Sequence, residues 1–266
     1  MGSALHPGGN LGRSGQQLAP DGALTYRLTL SYDGTGFCGW QVQPGLRTVQ
    51  GCLQEALTQL IKAPVTVHGS GRTDTGVHAL GQVCHFRAAT TIPLERMTAA
   101  LNARLPRDMA VLEVAEAPEG FHARFDVREK TYRYRILNTP VRSPLLEHYT
   151  WHVADPLAAA PMAEALERLK GTHDFAGFAA SGSPRSTTVR TLKGAVLRQE
   201  GAELALEFTA DGFLYHMVRN LAGTLVEIGL ERREPLWIDT ILAGRDRRLA
   251  GKTAPPQGLY LLSVKY

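Results

Sequence analysis

The run Gly69-Ser70-Gly71-Arg72-Thr73-Asp74-Thr75-Gly76-Val77-His78-Ala79 brings a carboxylate and a guanidinium together on a backbone path that Gly69, Gly71 and Gly76 allow to be tight. An Asp in a glycine-rich loop commonly serves as a turn or cap residue. Arg72, two residues before Asp74, points to more, because a guanidinium beside a carboxylate favours its charged form. A charged carboxylate held in such a loop is a candidate nucleophile or base.

Asp74-Thr75-Gly76 is also the Asp-Thr-Gly triplet of aspartic proteases. Those need a second triplet, in the chain or in a dimer, so that two carboxylates share one proton. The chain has no second Asp-Thr-Gly or Asp-Ser-Gly, and Arg72 and Thr73 stand where apolar residues should precede the triplet. A second chemical signal lies far downstream. Arg219 interrupts a run otherwise lined by Phe213, Leu214, Met217, Val218 and Leu221, where a charge is costly to bury without a partner. A third is the alternation of Tyr132 and Tyr134 with Arg133 and Arg135; in a strand the two tyrosines share one face. With Arg104, Arg107, Arg124 and Arg128 nearby in sequence, this basic, aromatic-interleaved stretch suits an RNA backbone. Arg245, Asp246, Arg247 and Arg248 form a mixed cluster to which only solubility is assigned.

Composition narrows the class. The 266 residues carry 29 Lys+Arg against 25 Asp+Glu, a net charge of +4 that permits a polyanionic partner without requiring one. Of the 29 basic residues, 23 are Arg, whose fork suits phosphate and carboxylate. Three widely spaced cysteines with no Cys-x-x-Cys argue against a disulfide framework or a zinc ribbon and suit a reduced, cytoplasmic setting. The apolar stretch from Phe213 to Leu230 is broken by His216, Arg219, Asn220 and Glu227, so no membrane span is expected. Residues 1–24, rich in Gly, Ser, Pro and Gln, read as a disordered tail without a signal peptide.

The elements that must position these residues read as one pattern used twice. Strands are predicted at 26–31, 65–68, 82–87 and 109–114, with helices at 47–61 and 93–105. The second half offers a strand at 131–137, a helix at 155–170 and a hairpin over 189–198 and 204–209. Helices at 213–229 and 235–243 and a strand at 259–264 complete it. Two successive β-α-β-β-α-β units predict an α+β fold of two ferredoxin-like halves, 25–125 and 126–266, around a central cleft. No residue-level repeat joins them.

The run GRTDTGVHA resembles the catalytic motif of the tRNA pseudouridine synthase A family. Further runs resemble the family's other signatures in order: Asp33 to Gln41, Phe121 to Phe125, Lys130 to Tyr134, His173-Asp174-Phe175, Phe213 to Asn220, and Ala254 to Leu259. The likeness covers the chain from about residue 26 to the C-terminus. It implies isomerisation of uridine to pseudouridine at positions 38, 39 and 40 of the tRNA anticodon stem-loop, with no cofactor and no metal. It implies Asp74 as the catalytic carboxylate, Arg72 holding it, and Arg219 as its ion-pair partner across the cleft. A uridine in or beside a stem must be flipped out to react, and Tyr132 is the implied stacking partner near its C5. A homodimer, with one tRNA contacting both subunits, is implied as well. Trp40 and Phe37 are expected to be packed loop anchors, His78 to fix the catalytic loop, and His173 to be structural. The competing reading is a non-catalytic RNA-binding module of the same architecture, against which the Arg72-Thr73-Asp74 loop speaks.

Overall fold

The computed structural model describes residues 22–180, 182 and 187–266. The first half runs β1 (Leu24–Tyr32), α1 (Val49–Ile61), β2 (His68–Gly69), β3 (His78–Ala88), α2 (Leu94–Asn102) and β4 (Met109–Glu116). The second runs β5 (Glu129–Asn138), β6 (Trp151–Val153), α3 (Ala159–Leu169), β7 (Gly171–Asp174), β8 (Val189–Glu200), β9 (Glu203–Ala210), α4 (Met217–Gly229), α5 (Trp237–Gly244) and β10 (Leu259–Lys265).

Local chemistry sets several boundaries. Thr48 caps α1, its side chain accepting from the Gly51 N–H, and Lys62 closes it in the left-handed region, two residues before Pro64. The predicted helix over 93–105 stops early because the Asn102 amide turns to the β4 backbone, donating to Val111 O and accepting from Val111 N–H, both at 2.8 Å. The helix predicted from residue 213 begins only at Met217. Residues 213–216 form a turn closed by Met217 N–H to Leu214 O, with the Tyr215 carbonyl taken by Ala180 N–H. The strand predicted at 65–68 is reduced to His68–Gly69, and β6 and β7 were not foreseen. Leu24, placed in the predicted tail, opens β1; the rest of that tail up to residue 21 lies outside the described residues.

The strands form one continuous sheet in the order β4-β1-β3-β10-β5-β9-β8-β7, with β2 on β3 and β6 on β5. Within each half the spatial order is the same, fourth strand, first, third, second: β4-β1-β3-β2, then β10-β5-β9-β8. The two halves meet at β10, which runs parallel to β3 through Tyr260↔His78 and Leu261↔Ala79 and antiparallel to β5. Alternate residues turn inward, as in Leu28, Leu30 and Tyr32 of β1, Tyr132, Tyr134 and Ile136 of β5, and Leu204, Leu206 and Phe208 of β9. They pack with Leu53 and Leu57 of α1, Met97 and Leu101 of α2, Met162 and Leu166 of α3 and most of α4 into a single core. The seam between β3 and β10 lies at the base of the segment that carries Asp74.

Candidate active site

Asp74 stands between β2 and β3 on a loop whose backbone is fixed from three directions. Trp40 N–H donates to Thr73 O at 3.0 Å, the Tyr32 and Thr73 hydroxyls share a 2.9 Å hydrogen bond, and Val77 N–H closes onto Asp74 O. Ser70 bonds Gln82 at 2.7 Å, and Gln82 in turn donates to Gly71 O. Lys130, at the start of β5, donates from Nζ to Ser70 O at 2.6 Å. The support beneath is the segment from Asp33 to Trp40. Trp40 and Phe37 are buried anchors, as expected. Gly39 sits at φ +80°, and a Cβ there would lie 2.8 Å from Thr73 O, so no side chain fits between this segment and the loop.

His78 ties the loop to the rest of the fold, as the sequence suggests. Its Nδ1 accepts from Gly34 N–H at 3.0 Å, which puts the proton on Nε2, facing the carbonyls of His148 at 2.9 Å and Gln257 at 3.2 Å. Burial pushes its pKa below the ordinary imidazole value, although Asp33 opposes the shift. Its ring stacks on Tyr260 of β10. One neutral histidine therefore joins the Asp33 turn, the Asp74 loop, the 148 turn and the C-terminal segment.

The Asp74 carboxylate is met by Arg219 from the first turn of α4. Arg219 Nη1 donates to Asp74 Oδ2 at 3.0 Å, and its Nε donates to Ala254 O at 2.8 Å. The two residues are 145 apart in sequence, so this ion pair bridges the halves. It answers the cost of burying a guanidinium in an apolar helix. His216 Nε2 lies 3.2 Å from the same Oδ2 and 3.2 Å from Arg219 Nη1.

Arg72 is placed differently from the expectation. Its side chain is exposed, and Asp74 takes its ion pair from Arg219 instead, with His216 beside it. The reason is the intervening residue. Thr73 is buried and bonded at both its hydroxyl and its carbonyl, which turns Arg72 out to the loop surface.

Tyr132 and Tyr134 share the inward face of β5. Tyr132 is buried edge-on against Phe213, ring centres 5.0 Å apart, just before the turn that leads into α4. Tyr134 donates its hydroxyl to Pro255 O at 2.7 Å and is a core residue. Arg133 and Arg135 lie on the other face and are neutralised by Glu207 and Glu203, each at 2.7 Å. They are paired side chains on the face opposite Tyr132. Arg247 also does more than solubilise: it donates to Asn220 Oδ1 and Thr253 Oγ1, fastening the C-terminal loop to α4. His173 is structural as expected, bonded through Nε2 to Lys170 O.

Sequence reasoning passed over His216, although it lies three residues before Arg219 and within hydrogen-bonding register of it. It also left Lys130 without a role. Among the described residues, no group of three or more His, Cys, Asp or Glu side chains is arranged to hold a metal ion. His148 and His152, four apart, fall in a turn and in β6, where His152 Nε2 bonds to Thr139 O.

The arrangement is a carboxylate held by one oxygen against a cation, beside a tyrosine, on a loop braced from two halves of one sheet. The family described as tRNA pseudouridine synthase matches residues 29–126 and 165–266. A tRNA pseudouridine synthase A 2 of Clostridium tetani is 44% identical over 246 residues, covering 92% of this chain and 99% of its own. The tRNA pseudouridine synthase A of Moorella thermoacetica is 47% identical, covering 90% of this chain and 98% of its own. That of Geobacillus kaustophilus is 47% identical, covering 91% and 95%. With the Asp74 loop and the Arg219 segment both inside the matched residues, the chain belongs to the tRNA pseudouridine synthase family.

Proposed function

We propose that the chain isomerises uridine to pseudouridine at positions 38, 39 and 40 of the tRNA anticodon stem-loop, with Asp74 as the catalytic carboxylate. The conversion of uridine to pseudouridine in tRNA follows from the family. The positions and the residue roles are our reading. The observation that carries it is the 3.0 Å pair between Arg219 and Asp74, which holds an accessible carboxylate in a fixed orientation at the junction of the two halves.

In the reaction the bond from N1 to C1′ breaks, the uracil turns, and a bond forms from C5 to C1′. The C5 proton leaves and N1 takes one up, so atoms and electrons balance without a co-reactant. Asp74 acts in its ionised form, and the Arg219 cation holds it there. Tyr132 supplies an aromatic face for the flipped base and a hydroxyl near C5. Arg72, exposed on the loop rim, suits an RNA phosphate better than it suits Asp74.

The two halves, 25–125 and 126–266, are proposed as ferredoxin-like units sharing one sheet; their repeated strand order supports this. The proposal includes a homodimer that contacts one tRNA with both subunits, and a cytoplasmic location. No helix among the described residues is long and apolar enough to cross a membrane. The test is to treat tRNA transcripts with the protein and map pseudouridine by carbodiimide modification and primer extension. Stops at 38–40, lost when those uridines are replaced by cytidine, are expected; stops elsewhere would refute the assigned positions.

A further inference from the structure

His216 joins Arg219 at the Asp74 carboxylate, its Nε2 3.2 Å from Oδ2, and its geometry is unusual in three respects. Its backbone is left-handed, φ 58° and ψ 5°, at the residue preceding α4. A non-glycine residue held there carries strain, which persists where the surroundings impose it and which clusters at functional sites. Its side chain makes no capping hydrogen bond to the helix, so capping does not explain a histidine at this position. Its ring lies against Tyr215, centres 3.9 Å apart, and this aims Nε2 at the space between Asp74 and Arg219.

Nη1 of Arg219 carries two hydrogens. One reaches Asp74 Oδ2 at 3.0 Å; the other has His216 Nε2 at 3.2 Å as its acceptor. With Nε bonded to Ala254 O, the guanidinium is held on three sides. The contacts of Arg219 and His216 with Asp74 both fall on Oδ2.

Resting on the function proposed above, we infer that His216 is a positioning residue. As a neutral imidazole it accepts from Arg219 and so fixes the guanidinium on Asp74 Oδ2. Once protonated it becomes a second cation that donates to Asp74, displaces that arrangement and quenches the carboxylate. The groups facing His216 are Asp74 of the catalytic loop, Arg219 of α4 and Arg247 of the turn before the C-terminal loop. Burial and the two guanidinium groups keep the imidazole neutral at ordinary pH, against the pull of Asp74.

The test uses the full-length protein with tRNA labelled with tritium at uridine C5, and compares wild type, His216→Asn and His216→Gly from about pH 5 to pH 8. Both replacements tolerate the left-handed backbone, so both are expected to fold, which thermal melting checks. The wild type is expected to lose kcat on an acid limb below 6.5, the ordinary imidazole value. Both variants are expected to lose that limb and to lower kcat at neutral pH about tenfold or more, with KM for tRNA within about twofold. His216→Asn, which keeps an acceptor, is expected to retain more activity than His216→Gly. Variants with wild-type kcat and an unchanged acid limb would overturn the inference, as would a loss confined to KM. No tritium release by the wild type would refute the proposed function itself, and with it this inference; wild-type release with unaffected variants would refute only the role of His216.

Discussion

At the scale of single residues, Arg219 is placed by what it meets. Its Nε and Nη1 are committed to Ala254 O, Asp74 Oδ2 and His216 Nε2, a fork that one ammonium cannot reproduce. Arg219→Lys should therefore lower kcat by roughly 10- to 100-fold while leaving KM for tRNA nearly unchanged; single-turnover tritium release checks this. Arg72 makes the opposite prediction, because it faces outward and pairs with RNA in our reading. Arg72→Ala should lower kcat/KM and reduce the slope of log affinity against log salt by about one, the mark of a lost phosphate contact. An unchanged salt slope would argue against that assignment. The sequence made Asp74 and Arg219 legible because one sits in an informative motif and the other breaks an apolar face. It misplaced Arg72 because proximity along the chain says nothing of side-chain direction in a loop, which here is decided by the burial of Thr73.

At the scale of elements, the Asp74 loop depends on segments placed beneath it and away from the carboxylate. Gly39→Ala would force a Cβ to within 2.8 Å of Thr73 O at a positive φ. The expected cost is about 1–3 kcal/mol of stability for the strained backbone. A loop shift of even ~1 Å is expected to lower kcat by up to about 100-fold. Melting and turnover measured together separate the two effects. A second junction joins β2, β3 and the 121–126 turn, where His68 stacks on His85, His122 meets His85 edge-on and Ala123 N–H donates to His85 Nδ1. Burial and the two neighbouring imidazoles push His85 down from 6.5 to about 4. Between those values the unfolded chain binds the proton that the folded chain refuses, so stability falls as pH falls through that window. Denaturant midpoints measured from pH 7 downward should show this dependence, weakened by up to one proton in His85→Asn. Helical periodicity and strand alternation located nearly every element, since both are local signals. The start of α4 was missed because a left-handed His216 and a carbonyl taken by Ala180 end the apolar periodicity's claim on residues 213–216.

At the scale of the molecule, two similar halves become one enzyme through β10. The last strand of the chain is inserted between β3 and β5 and pairs with both, and the Asp74–Arg219 pair crosses the same junction. Unfolding should accordingly be a single calorimetric transition; two separated transitions would show that the halves are independent. The β-α-β-β-α-β order of the first half was readable in the sequence, whereas β6 and β7 add to that pattern in the second. The central placement of β10 was not, because strand pairing across the length of the chain leaves no local pattern. The account as a whole stands on Asp74 doing the chemistry that this junction positions. The most direct test is tritium release from tRNA labelled at uridine C5, by wild type and by Asp74→Asn, with tRNA binding measured for both. We predict release by the wild type and none by Asp74→Asn at undiminished tRNA affinity. Release by Asp74→Asn at a rate near that of the wild type would contradict the central claim.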